Sequence, residues 1–325
     1  MRWQEVFLAD ERPRPIWRFL LSLPVIFLAL FLAGQAHYFV FGKQAFPLNV
    51  LGMTLLTFPA LLGAFKLLTG VLERRPLATV GLAFRGRWLR ELCQGLVVGT
   101  VMILLVAAAE RMLGGVRFTL GTAPPERLLV WAGGLLVFGL IAATNEELIF
   151  RGYPFQRLLE AVGAVGAIGL CSALFGIVHL GNSHHTWIST LNTALVGVAL
   201  AVAYLRTRLL WLPIGMHFAW NFIQGFCLGL PVSGAQIPCS LLHAEVSGSV
   251  LMTGGSYGPE ASLLTSAVVV LATGYLSFSK SIYISEETRT LVFAPAVKVD
   301  LPETSLRLET SSQGTSGDPP APTRK

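Results

Sequence analysis

Along this chain, long stretches without Asp, Glu, Lys or Arg alternate with short polar segments. Charge-free runs cover residues 19–42, 44–65, 92–109, 128–145 and 161–205. A helix rises 1.5 Å per residue, so about 20 apolar residues cross the hydrocarbon core of a bilayer. The first four runs each predict one such helix. The fifth is too long for one, and the loop-forming stretch Gly181-Asn182-Ser183-His184-His185 divides it into helices at 162–181 and 187–205. Further apolar runs at 209–230 and 261–279 bring the expected number of spans to eight.

Composition agrees with this pattern. Of 325 residues, 53% are hydrophobic and 13% charged, with a mean hydropathy of +0.64. Soluble domains carry roughly a quarter charged residues, so a water-soluble globule is excluded. The predicted fold class is an all-α polytopic membrane protein with about eight transmembrane helices. The net charge of +6 is scattered between apolar runs, which speaks against a nucleic-acid partner. Its distribution instead orients the chain, because 20 of the 24 Lys and Arg fall in alternate segments between spans. Both termini are therefore expected on the cytoplasmic side. Three regions follow: 1–127, an N-terminal three-helix membrane region; 128–280, a membrane core with the candidate chemistry and the final helix; and 281–325, a charged cytoplasmic tail expected to be disordered beyond about Leu308. The first span is too long for a signal-peptide core and is expected to stay as an anchor.

Four Cys at 93, 171, 227 and 239 show no metal-finger spacing. The Gly-rich segment 253–260 matches no phosphate loop, and Pro259 is placed near the first turn of the last helix. Gly95/Gly99 and Gly225/Gly229 have the spacing of close helix contacts.

Polar groups inside spans are costly and mark function. Three sets stand out. The run Asn145-Glu146-Glu147-Leu148-Ile149-Phe150-Arg151 closes the fourth span, and if the helix continues past Arg151, Glu147 and Arg151 share one face. Glu146 lies about 100° around the helix and is left free to act as a base. Phe175 and His179 stand one turn apart on the fifth helix, and His217 and Asn221 one turn apart on the seventh. His184 and His185 are expected to be solvated in a loop. Each set taken alone also reads as a helix end or as interhelical hydrogen bonding. Together they supply a base, hydrogen-bond donors and a possible ligand set for a catalytic zinc ion, which fits water-dependent cleavage of an amide bond.

The ordered set EExxxR, FxxxH and HxxxN, each on its own helix, resembles the CAAX prenyl endopeptidase and bacteriocin-processing (CPBP, or Abi) intramembrane proteases. The resemblance covers about residues 128–230. It implies a multi-pass membrane endopeptidase, placed in the plasma (inner) membrane if the organism is a bacterium, with membrane lipid and a peptide or protein substrate, lipidated or not, as partners. It further implies that Glu146 with His179 activates water, that His217 and Asn221 stabilise the tetrahedral intermediate, and that Arg151 holds Glu147. A metal-dependent version would place Zn on His179, His217 and Glu146. The same side chains serve both schemes. No HExxH motif, GxGD motif or serine nucleophile with a matching base is present. Two other classes use the same residues: a non-catalytic scaffold or immunity-type protein on the protease fold, and a cation transporter, against which the lack of repeated halves counts. Oligomeric state stays open. His179 otherwise lies near the far end of helix 5, so the shared site requires either that helix 4 continues to about Leu159 or that helix 5 is short and starts deep; helix 4 is expected to extend past Arg151.

Overall fold

The computed structural model describes residues 7–9, 12–42, 48–84, 86–286 and 288. Eight helices carry the apolar runs: α1 Pro15–Phe41, α2 Leu48–Leu67, α3 Trp88–Met112, α4 Pro125–Arg151, α5 Tyr153–Val178, α6 Trp187–Thr207, α7 Trp211–Phe222 and α8 Leu263–Phe278. Helices α1 to α6 fall in stretches long and apolar enough to cross a membrane, α4 and α5 within a single stretch, Pro125–Gly181. Helices α7 and α8 are shorter, and α7 continues as a π-helical turn, Ile223–Cys227. The protein is an integral multi-pass membrane protein. Of the tail expected at 281–325, residues 287 and 289–325 lie outside the described residues.

The ends of alternate helices meet on one side of the bundle, as the Lys and Arg distribution requires. Arg18 at the start of α1 pairs with Glu73 after α2, and Arg157 on α5 pairs with the same carboxylate. Gln156 bonds to the Thr79 carbonyl, Trp211 at the start of α7 to Ala83, and Arg206 at the end of α6 to Ser277 and Ser279. On the opposite side, two strands absent from the sequence-based reading, β1 Val116–Leu120 and β2 Leu242–Val246, pair antiparallel between α3 and α8.

Packing around α7 is unusually close. A methyl group at Gly95 would run into the carbonyl of Leu212, one at Gly99 into that of Met216, and one at Gly215 into that of Leu92. The first of the small-residue pairs is thus a helix contact, as its spacing predicts. The second is not. Gly225 packs against Ile237 and Val232, while Gly229 has φ +70° and makes a turn beside Leu242. Apolar packing continues through two cores: one joins Phe19, Leu61 and Phe65 to Leu148 and Phe155, and the other joins Ile103 and Val106 to Leu200, Leu212 and Val269.

One expectation needs correction. Helix α4 runs through Arg151 but stops there, because Gly152 leaves helical geometry and Pro154 opens a new first turn. What brings the motifs together is a break in α5 at Gly163, whose φ of 76° and ψ of 177° interrupt the helix. The portion that returns into the bundle is therefore short, about the alternative that the distance between Glu146 and His179 demanded.

Candidate active site

The last two turns of α4 are buried, and this sets the character of the site. Asn145, Glu147, Leu148 and Arg151 are all buried, and Asn145 donates to the Thr54 carbonyl of α2. The glutamate pair is thereby held inside the bundle rather than at its surface.

Glu147 is fully buried and Arg151 only 1% exposed. Arg151 Nη1 reaches Glu147 Oε1 at 3.0 Å, the i to i+4 pair that the spacing predicts, and Nη2 donates to the Gly197 carbonyl of α6. A buried charge pair must be fully coordinated to offset its desolvation. Here the second donor to Glu147 Oε1 is His217 Nδ1 on α7, at 2.9 Å. A carboxylate only accepts, so Nδ1 carries the hydrogen of that bond. His217 Nε2 then faces Glu146, 3.8 Å from its Oε2.

Glu146 differs from its neighbour. Its side chain is 38% exposed whereas that of Glu147 is fully buried, although Oε2 of each accepts no hydrogen bond. The carboxylate lines a cavity of about 390 Å³ that also receives His179, His217 and Asn221. Four of the six residues singled out in the sequence therefore share one cavity, and Glu147 and Arg151 support it from behind. His179 follows the end of α5, where its Nδ1 bonds to the Phe175 carbonyl at 2.7 Å. A carbonyl cannot donate, so Nδ1 is protonated and the Nε2 lone pair is left for the cavity.

The aromatic member of the FxxxH motif has a physical role. The Phe175 ring lies 4.7 Å from the His179 ring and 6.2 Å from that of His217, both edge-on. The Arg151 guanidinium stands 4.5 Å over its face. One buried ring thus packs against the supporting cation and both imidazoles. His184 and His185 are exposed, as expected for a loop.

Sequence reasoning missed the far wall of the cavity. Asn192 on α6 donates to the carbonyls of Glu260 and Ser262 and accepts from Ser266, tying the segment before α8 to α6. Glu260 accepts from Gln224, from the Ser233 backbone and from the Ser233 hydroxyl. The long segment between α7 and α8 is fastened by these bonds over one end of the site. No motif announces it, since the bonds link residues far apart in sequence.

The donor set for a metal was tested on the same geometry. Among the described residues, no three His, Cys, Asp or Glu side chains converge as a metal would require. His217 and His179 both hydrogen-bond through Nδ1, which leaves Nε2 of each ring toward the cavity. In this arrangement the three side chains of the zinc scheme do not stand close enough together to share one ion.

Comparison with known proteins is consistent with this site. Residues 128–223 match the family described as Type II CAAX prenyl endopeptidase Rce1-like. The curated Bacillus subtilis (strain 168) protein named "Putative membrane peptidase YdiL" is 34% identical over 87 residues, which cover 27% of this chain and 34% of that relative. No solved structure matches.

Proposed function

We propose that this protein, whose residues 128–223 match the Rce1-like CAAX prenyl endopeptidase family, is an intramembrane endopeptidase that hydrolyses peptide bonds of membrane-associated substrates with water activated by Glu146. The observation that carries the reading is the part-exposed Glu146 carboxylate in a cavity shared with His179, His217 and Asn221.

Each group has a task that its geometry suits. Glu146 takes a proton from water while the free Nε2 of His179 orients that water by accepting its second hydrogen. The water oxygen attacks the scissile carbonyl carbon, and negative charge moves to the carbonyl oxygen. His217, protonated at both ring nitrogens, donates its Nε2–H to that oxygen alongside the Asn221 amide, and donors fixed beforehand in a low-dielectric site are worth most in the transition state. When the C–N bond breaks, Glu146 returns its proton to the leaving amine. Glu147 and Arg151 do not react. Glu147 holds His217 in the orientation that the step needs and balances the charge of the imidazolium, and Arg151 holds Glu147. A prenylated CAAX-type chain and an unmodified membrane-anchored peptide are both candidate substrates.

The test is mass spectrometry of prenylated CAAX and unmodified membrane-associated peptides incubated with purified wild type and Glu146→Gln, with and without chelator. The expected result is new fragments from wild type only, at a rate the chelator leaves unchanged. Cleavage lost to chelator and restored by zinc would move the reaction to the metal scheme. Equal cleavage by both proteins would remove Glu146 as the base, and no cleavage by either would favour the scaffold.

A further inference from the structure

On the side of the bundle where the Lys and Arg gather, a second cavity of about 440 Å³ opens between the start of α3 and the segment after α8. Arg87 and Arg90 line it from α3, Lys280 from the segment after α8, and Arg206 from the end of α6. No Asp or Glu lines it among the described residues. Glu91, next along α3, is buried in the bundle, and Glu286 follows further along the chain; neither reaches the cavity wall.

The wall is built rather than incidental. Arg206 is 8% exposed, its terminal nitrogens donate to the carbonyls of Ser277, Ser279 and Ile282, and its Nε has no partner. Those bonds fix the backbone that carries Lys280. The Arg87 guanidinium sits 4.7 Å over the Tyr283 ring, which holds it in place. The hydroxyls of Ser279 and Ser281 bond to each other at 2.8 Å, and Ser281 bonds to Tyr275. Four cations and a pair of hydroxyls around one cavity form the chemistry that recognises a phosphate group. The apolar surface beside them decides what carries that phosphate. Phe278, which lines the cavity, is 86% exposed, and Leu89, next to Arg90 in the chain, is 55% exposed. Such surface suits acyl chains rather than water. Basic pockets between helices at the cytoplasmic face, where anionic lipids concentrate, hold headgroups in this way.

We propose that this cavity binds the phosphate headgroup of an anionic phospholipid. The site lies on the opposite side of the bundle from the segment that covers the proteolytic cavity, and it does not depend on the protease reading.

The experiment is native mass spectrometry of the full-length protein in detergent, titrated with phosphatidylglycerol or with phosphatidylcholine of the same chains. It is repeated with R90Q/K280Q and with R90Q alone, whose side chains are exposed. Each basic residue is worth about a fivefold factor at an anionic lipid surface. Wild type is expected to retain phosphatidylglycerol about tenfold or more over phosphatidylcholine, R90Q to lose part of that preference, and the double variant to lose most of it at an unchanged melting temperature. Inorganic phosphate at millimolar concentration is expected to leave the lipid bound. Equal retention of both lipids by wild type, or a preference that both variants keep, would overturn the site. Displacement by inorganic phosphate would overturn the lipid assignment in favour of a free anion.

Discussion

Glu147 and His217 stand 70 positions apart in the chain and meet through a 2.9 Å bond between imidazole Nδ1 and carboxylate Oε1. The same oxygen receives Arg151 at 3.0 Å. One carboxylate oxygen thus joins α4 to α7 and balances the buried guanidinium. The two adjacent glutamates consequently have unlike surroundings: Glu147 is enclosed and committed, and Glu146 reaches the cavity. A helix turns 100° per residue, so neighbouring carboxylates have unlike surroundings and meet different nitrogens of the His217 ring, and the sequence pair EE yields one support and one open acid.

Glu147→Gln keeps the shape of the side chain but leaves the Arg151 guanidinium buried without a counter-charge. Breaking such a pair costs about 3–5 kcal/mol, whereas replacing both members by apolar residues is far less damaging. The expected outcome in thermal or denaturant unfolding is a marked loss for Glu147→Gln, much of it recovered in E147L/R151M, with both proteins inactive. A single variant as stable as wild type would mean that the pair does not hold α4 in place.

His217→Gln should act on the chemical step. Removing one donor to a developing oxyanion lowers kcat by about 10²–10³-fold, and a group that acts only in the transition state leaves KM nearly unchanged. Steady-state kinetics on any cleaved peptide separates the two parameters. A rise in KM at constant kcat would make His217 a substrate-binding residue instead.

Much of the site was legible because its motifs combine helical spacing with residues that a membrane tolerates only for a reason. The i to i+4 pairs Glu147/Arg151, Phe175/His179 and His217/Asn221 report a shared face whatever the tertiary fold. Other features were hidden by the rule that found the spans. Cutting helices at charges ended the third span at residues 92 and 109, yet α3 runs Trp88–Met112 and buries Glu91 and Glu110 within it. The strands were readable in principle, since Val116-Arg117-Phe118-Thr119-Leu120 alternates with a period of two. Their pairing with residues 242–246 was not. The Asn192 and Glu260 bonds that close the cavity depend on long-range packing, which local periodicity does not encode.

Gly99→Ala tests whether close helix packing positions the chemistry. The added methyl meets the backbone carbonyl of Met216, which cannot swing away as a side chain can. Overpacking of this kind costs about 1–3 kcal/mol, and the displaced backbone carries His217 at the next position. A lower melting temperature together with reduced cleavage is expected. Gly134→Ala on α4, with nothing within 4 Å of the new methyl, serves as the neutral control.

The break in α5 is the feature on which the shared cavity depends, and it can be tested by backbone chemistry alone. Gly163 combines φ 76° with ψ 177°, a region that only glycine occupies without strain. A methyl there meets nothing within 4 Å, so any effect of Gly163→Ala arises from conformation and not from a clash. The expected cost is about 1–3 kcal/mol, and relief of that strain would straighten α5 and carry His179 away from Glu146. Gly169, six positions on in the same helix, also has open space around it but helical geometry. Alanine there should be neutral or stabilising by about 0.5–1 kcal/mol. Unfolding and cleavage measured side by side should therefore separate the two substitutions in opposite directions. If both alanines behave alike, the break does not bring His179 to the glutamates, and the cavity must be maintained by the contacts of Phe175 with Arg151 and the two histidines.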